Sequence, residues 1–189
     1  MKVTTYLVLL RGINVGGKNN VPMTVLKDCL EKIGFSNVTT YIASGNVMLD
    51  SDASPDEVKD AIEKALPETF QLDSELIKVL VLSRRQLKKI VDNKPKGFGD
   101  QPALYHSDAI FLMDVVAADV MPIFRPREGV DTVWQGDGVV YSQRLSAKRS
   151  KSRLSIIAST PFYKSMTIRS WNTVVKLLEI MTDLGSKGK

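Results

Sequence analysis

The sequence predicts an α+β chain built as two tandem ferredoxin-like units, each β-α-β-β-α-β and each followed by an extra C-terminal helix. Three observations predict it. Residues 1–93 alternate strand-like and helix-like segments in that order; a similar order returns after residue 102; and both halves end in a strand, a polar cap residue and an amphipathic helix. The expected boundaries are 1–93 for the first unit, 94–102 for a Pro/Gly-rich linker, 103–183 for the second unit and 184–189 for a flexible tail.

Residues 5–10 are a largely apolar run, too short and too Thr-rich for a signal or membrane segment and followed by Arg11, and read as a buried strand. A polar, Gly-rich loop follows from Arg11 to Asn20. Leu26, Cys29, Leu30 and Ile33 then share one helical face, with Gly34 placed to close the helix and Phe35 as the apolar contact beyond it. Val38–Ile42 and Val47–Leu49 read as a hairpin turning at Ser44-Gly45-Asn46. Ser54-Pro55-Asp56-Glu57 is a capping box with Pro at the first helical position, and Val58, Ala61, Ile62, Ala65 and Leu66 form the stripe of the helix it opens. Ile77–Leu82 is a further strand, and Ser83-Arg84-Arg85-Gln86 opens another helix running to about Val91.

In the second half, Ala109–Met113 reads as a strand and Ala117–Phe124 as a short helix. Thr132–Tyr141 reads as a hairpin with Asp137-Gly138 at its turn. A weak helix is expected over Leu154–Ala158 and a strand over Met166–Ile168. Asn172 is expected to cap a last helix carrying Val174, Leu177, Leu178 and Met181 on one face.

The 189 residues are 43% hydrophobic and 25% charged, which excludes a disordered or fibrous chain. One His and one Cys exclude a disulfide framework and the common zinc sites, so no metal and no cofactor are expected. No apolar run approaches a membrane span, which predicts no membrane partner. The solitary Cys29 and the lack of an export signal predict a reducing, cytoplasmic setting, where the sequon at Asn37 carries no meaning. The net charge of +5 is uneven: −2 over residues 1–70, +3 over 71–100, −4 over 101–143 and +8 over 144–189. A basic C-terminal quarter attracts anions, nucleic acid among them.

Topology turns this into a place. In a β-α-β-β-α-β unit the third strand lies antiparallel between the first two, so the end of strand one and the tip of the following hairpin share one sheet edge. The Arg11–Asn20 loop is therefore expected beside Ser44-Gly45-Asn46. Gly12-Ile13-Asn14-Val15-Gly16-Gly17-Lys18 has P-loop spacing, G-x-x-x-x-G-K, but Asn19 stands where a Ser or Thr would hold magnesium. Val21-Pro22 also delays the helix that should follow at once, and Asp50 and Asp114 at strand ends are weak counterparts for a metal-binding aspartate. A tight structural loop that uses glycine's freedom at φ > 0, and an anion-contacting loop of another kind, are the remaining readings.

Leu10-Arg11-Gly12-Ile13-Asn14-Val15-Gly16-Gly17-Lys18, Thr40-Tyr41-Ile42-Ala43-Ser44-Gly45-Asn46-Val47 and Thr167-Ile168-Arg169-Ser170-Trp171-Asn172-Thr173-Val174 together resemble the bacterial domain-of-unknown-function family 1697 over nearly the whole chain. That family usually carries Asn where this chain has Ser170. The resemblance implies a duplicated α/β fold and no activity.

The expected site is anionic-ligand binding, nucleotide-like or nucleic acid, at the edge between the loop and the turn. Arg11 and Lys18 supply charge, Gly12, Gly16 and Gly17 backbone N–H groups, and Asn14, Ser44 and Asn46 orientation. Secondary candidates are the strap residues Lys148, Arg149, Lys151 and Arg153, read as a solvated loop or as a lid over phosphates, and Arg169, Trp171 and Asn172 at the last strand–helix junction. Trp171 reads as core, packed under the linker, or as a base-stacking platform. His106 reads as a strand-edge histidine, Cys29 as inert, and no catalytic set assembles from a single His. Two alternatives stand beside this: a metal-independent enzyme acting on a phosphorylated or other anionic small molecule, with Lys18 as acid or electrostatic catalyst, and a structural or oligomer-forming module. Oligomeric state is left open.

Overall fold

The computed structural model describes residues 3–73 and 77–187. The protein is mixed α/β with two four-stranded antiparallel sheets and divides into two compact units, Met1–Leu87 with Leu177–Lys189, and Lys88–Lys176.

The first unit runs β1 (Thr4–Leu10), α1 (Met23–Lys32), β2 (Ser36–Tyr41), β3 (Asn46–Ser51), α2 (Pro55–Thr69) and β4 (Val79–Ser83), then enters α3 (Arg84–Asp92). Its sheet order is β2-β3-β1-β4. Tyr6, Val8 and Leu10 of β1 share a face with Val47 and Leu49 of β3, and this face packs with Leu26 and Leu30 of α1 and Val58, Ile62 and Leu66 of α2. Each such side chain removed from water contributes roughly 1.5–3 kcal/mol. Both capping boxes form: Ser54 with Glu57, and Ser83 with Gln86, whose Oε1 accepts from the Ser83 N–H at 2.8 Å. Gly34 (φ +103) ends α1 as expected, its N–H donating to Glu31 and that of Phe35 to Leu30, the Schellman pattern.

Three expected positions are corrected. Ile33 lies past the end of α1 and is exposed, because helical periodicity no longer governs a residue outside the helix. Ile42 has φ +49 and leads out of β2 rather than continuing it. Ala61 sits on the solvent side of the α2 stripe.

The second unit takes up the chain within α3 and continues through β5 (Tyr105–Leu112), α4 (Ala117–Val120), β6 (Asp131–Gln135), β7 (Val139–Leu145), β8 (Met166–Ser170) and the start of α5 (Trp171–Lys187). Its sheet order, β6-β7-β5-β8, repeats that of the first. The expected helix 117–124 is cut to one turn and a 3-10 turn by Pro122. Between β7 and β8, where the first unit has α2 between β3 and β4, there is a strap of three 3-10 stretches, 146–151, 154–159 and 161–165. The helix expected over 154–158 is the middle one. Phe98, from the segment expected as a linker, is fully buried edge-on against Trp134, Tyr141 and Trp171. The cap of α5 is Ser170, not Asn172: its Oγ accepts from the Thr173 N–H, and the helix has already begun at Trp171. Residues 188–189 of the expected tail lie outside the described residues.

Candidate functional site

The Gly-rich loop and the hairpin turn do meet. The Leu10 N–H donates to the Gly45 carbonyl at 2.8 Å, and Asn14 Nδ2 donates to the Ala43 carbonyl at 2.9 Å. The contact is tight and apolar at its centre: a Cβ on Gly45 would stand 2.9 Å from both Ile13 Cδ1 and Leu10 Cβ. The amides expected to orient a ligand hold the backbone instead. Asn14 also donates to the Val21 carbonyl and accepts the Val21 N–H. Asn46 is fully buried and donates to Tyr41 O and Ser44 Oγ. Asn19 donates to Gly12 O and accepts from the Asp73 N–H.

Gly16 and Gly17, at φ +59 and +75, form the tip of a miniature hairpin closed by the Lys18 N–H on Val15 O. Positive φ at both central positions is a type I′ signature, unlike a phosphate cradle that runs into a helix. Beside it lies an open depression of about 490 Å³ lined by Gly17, Lys18, Asn20, Met23 and Ala43. Arg11, half-buried, donates its backbone N–H to Lys78 O and is not among that lining.

A larger cavity, about 890 Å³, lies in the second unit between its sheet and the strap. The register explains its floor. His106 pairs with Arg144, Asp108 with Ser142 and Ile110 with Val140 across β5 and β7, and Ile110 pairs with Ile168 of β8. Directly opposed residues project from the same face, so the floor is polar at the His106 end and apolar at the Ile110 end. The strap contributes Arg149, whose charge is felt at Asp108, the serines Ser150, Ser152 and Ser155, and Leu154, Ile157 and Tyr163, which pack in one apolar cluster with Ile110.

The first unit shows what this face is when it is only core. Tyr6 stands four residues before Leu10, and Asp108 four before Leu112, in strands of equal place and register. There Tyr6 faces Leu49; here Asp108 faces Ser142. Polar side chains and the replacement of a helix by a strap occur together.

The electrostatics are those of a desolvated cluster. His106 Nε2 is 3.1 Å from Asp108 Oδ1, and Arg144 is 3.6 Å from Asp108 Oδ2. Burial pushes the Asp108 carboxyl above its usual range, and the charges of His106 and Arg144 pull it only partly back. Among the described residues, Arg144 Nε is buried with no hydrogen-bond partner. Asp131, opposite Arg144, anchors the strap by accepting the backbone N–H groups of Arg153 and Arg127 at 2.9 and 3.0 Å. Burial alone would raise Asp131, but the Arg153 N–H, the Ser152 hydroxyl, the Arg127 N–H and the charge of Arg144 together outweigh it and hold the carboxyl low.

Of the basic strap, Arg149 lines the cavity, while Lys148 reaches the Gly129 carbonyl and Lys151 and Arg153 are exposed. Arg169 is buried on the opposite face of the sheet, bonded to Thr167 Oγ1 and Ile168 O, and burial lowers its pKa to about 10. Trp171 is 5% exposed against Phe98, which is the core reading, and Asn172 is exposed. The residues sequence reasoning passed over are Asp108 and Ser142, with His106 undervalued and Arg144 read only as the first residue of the basic segment 144–153. The signal was present: His106-Ser107-Asp108 and Ser142-Gln143-Arg144 are polar runs on strands whose remaining residues are mainly apolar, which puts polar side chains on both faces of the sheet.

Over residues 3–141 the chain matches the family described as protein of unknown function (DUF1697). The chain belongs to this family. The first two motifs fall inside the matched residues of DUF1697, as do His106 and Asp108; the third motif and the strap fall beyond them. Among solved structures, the chain is similar to the conserved bacterial protein SP0830 from Streptococcus pneumoniae, at 25% identity and a TM-score of 0.79, covering 95% of this chain and 99% of that one. No curated protein matches the chain. Among the described residues, no helix is long and apolar enough to cross a membrane, and no group of three or more His, Cys, Asp and Glu side chains is placed to hold a metal ion.

Proposed function

We propose that this chain binds an anionic small molecule of nucleotide size in the cavity beneath the strap of the second unit. The observation that carries it is the joint lining by Arg144, Arg149 and the hydroxyls of Ser142, Ser150, Ser152 and Ser155, at a position where the corresponding face of the first unit is apolar core. Guanidinium and hydroxyl groups gathered in a partly desolvated concavity suit phosphate or carboxylate oxygens. The apolar end takes an uncharged body, and the volume is within the range of small-molecule sites. Behind this stands our reading of both units as tandem ferredoxin-like folds, supported by their matching strand orders.

A thermal-shift titration of the full chain with inorganic phosphate, adenosine monophosphate and a single-stranded oligonucleotide tests it. Ligand that binds only the folded state raises the melting temperature. Phosphate and the nucleotide are expected to do so, and Arg149→Ala is expected to remove the shift without lowering the ligand-free melting temperature. A shift with the oligonucleotide alone, carrying a log–log salt slope of about −0.7 per phosphate contact, would move the reading to nucleic acid on the strap's outer cations. The depression beside Lys18 supports a second reading, with the anion at the Gly-rich loop. In that case Lys18→Ala, not Arg149→Ala, abolishes the shift.

A further inference from the structure

We infer that the cavity is a reaction site as well as a binding site, in which His106 accepts the phosphoryl group of a phosphomonoester held by Arg144 and Arg149. The inference rests on the anion reading above and assigns its substrate class.

The geometry of His106 carries it. Its Nε2 faces Asp108 Oδ1 at 3.1 Å, so that nitrogen carries the proton and the lone pair is left on Nδ1. Asp108 is fixed in turn by Arg144 at its other oxygen, and the strand register sets His106 directly across from Arg144. The nucleophile and one phosphoryl-binding guanidinium are thus neighbours on one rigid pair of strands. Arg149 of the strap lines the same cavity, near enough to act on the charge of Asp108.

The chemistry balances without a cofactor. Nδ1 forms a bond to phosphorus as the ester P–O bond breaks, and the electron pair leaves with the alkoxide or phenoxide, which takes any proton it needs from water at the open mouth. The imidazole becomes a phosphorylated imidazolium, and its positive charge is stabilised by the Asp108 carboxylate. Water then attacks phosphorus, the P–N bond breaks, the pair returns to Nδ1, and the proton of the attacking water leaves with inorganic phosphate. His106 is the catalytic residue, Arg144 and Arg149 hold the transferring group, and Asp108 is a positioning residue.

The experiment uses the full chain with p-nitrophenyl phosphate. Release of p-nitrophenolate is followed, and an acid-labile phosphoryl adduct is sought by intact mass and peptide mapping. Turnover and an adduct on His106 are expected. His106→Gln, at a half-exposed strand position, is expected to keep the melting shift with inorganic phosphate while losing the adduct and lowering turnover at least about a hundredfold. Asp108→Asn is expected to lower turnover and displace its pH profile while phosphate still binds. Wild-type protein that shows the phosphate shift with neither turnover nor adduct overturns the inference and leaves the binding reading standing, and so does His106→Gln with undiminished turnover. Wild-type protein with neither shift nor turnover overturns both.

Discussion

Asp108 and Asp131 face the same cavity-side surface of one sheet, opposite Ser142 and Arg144 of β7, yet their carboxyls are displaced in opposite directions. Burial dominates at Asp108, which lies two residues from the His106 it contacts. At Asp131 burial is outweighed by the Arg153 N–H, the Ser152 hydroxyl, the Arg127 N–H and the charge of Arg144, a carboxylate closing two backbone turns. One group is a desolvated side chain that tolerates its charge; the other is a fastener that needs it.

Their pH signatures should separate accordingly. Asp108 binds its proton more tightly folded than unfolded, so its contribution is present below the ordinary value of 3.8 and is lost as pH rises through the raised folded value. Asp131 is the reverse: its contribution is present above 3.8 and is lost as pH falls through the lowered folded value. Asp131→Ala is therefore expected to cost about 2 kcal/mol or more at pH 7, the worth of charge-assisted bonds to two backbone donors. Asp108→Asn is expected to remove a fall in stability between acid and neutral pH. Urea unfolding of both variants at pH 4 and pH 7 checks the pair, and a larger loss for Asp108→Asn than for Asp131→Ala at pH 7 contradicts it.

The Gly-rich loop should prove to depend on its asparagine more than on its glycines. Asn14 makes three side-chain bonds, to Val21 N, Val21 O and Ala43 O, and sits at φ +54. Asn14→Ala is expected to cost about 3 kcal/mol. Gly16 also has positive φ, but nothing lies within 4 Å of a Cβ placed there. Gly16→Ala is then expected to cost only about 1 kcal/mol of backbone strain. Chemical denaturation of the two variants measures this, and equal losses would sink the distinction.

The first unit was largely legible because its signals are local and agree. The Ser54 and Ser83 capping boxes, Gly34 with Phe35, and the short continuous apolar runs of β1 and β3 all point to the same elements. The meeting of the loop with Ser44-Gly45-Asn46 followed from chain direction alone. Which atoms that meeting would consume did not: Asn14 and Asn46 look like ligand groups in sequence, and only the backbone path shows their amides already bonded. The second unit was less legible because its cover is a strap of 3-10 turns, which carry no apolar period long enough to read. His106 and Asp108 were visible as letters, but their partner Arg144 is 36 residues further on and is brought near only by the β5–β7 register.

Gly99 should be among the least replaceable residues of the second unit. It has φ +74, and a Cβ there would stand 2.7 Å from Trp171 Nε1, nearer still to Cδ1. Trp171 cannot yield, since Phe98 and Tyr141 pack edge-on against it at 5.0 and 6.1 Å between centroids. Overpacking and left-handed strain add, so Gly99→Ala is expected to cost at least about 2 kcal/mol. The tryptophan fluorescence and near-ultraviolet circular dichroism of the folded variant should change with it. A variant of unchanged stability would show that the segment shifts freely, and that Phe98 does not pin it.

Tyr141 gives the same aromatic cluster an alkaline limit. Its hydroxyl donates to the Ile90 carbonyl at 2.6 Å, its ring packs against Phe98 and Trp171, and burial raises its pKa from 10.0 to about 12. The folded state thus holds this proton more tightly than the unfolded chain does. The stabilisation is complete below pH 10 and is lost as pH rises towards 12, because the phenolate can neither donate to Ile90 nor be solvated in the cluster. Tyr141→Phe removes the titrating group and the bond together. It is expected to lower stability at pH 7 by about 1 kcal/mol, the net worth of one hydrogen bond that leaves a carbonyl without its donor. It is also expected to flatten the dependence of stability on pH between 10 and 12. Denaturant midpoints measured at pH 7 and across that alkaline range decide it: a wild-type midpoint that falls no faster than the variant's would mean that Tyr141 ionises as readily folded as unfolded.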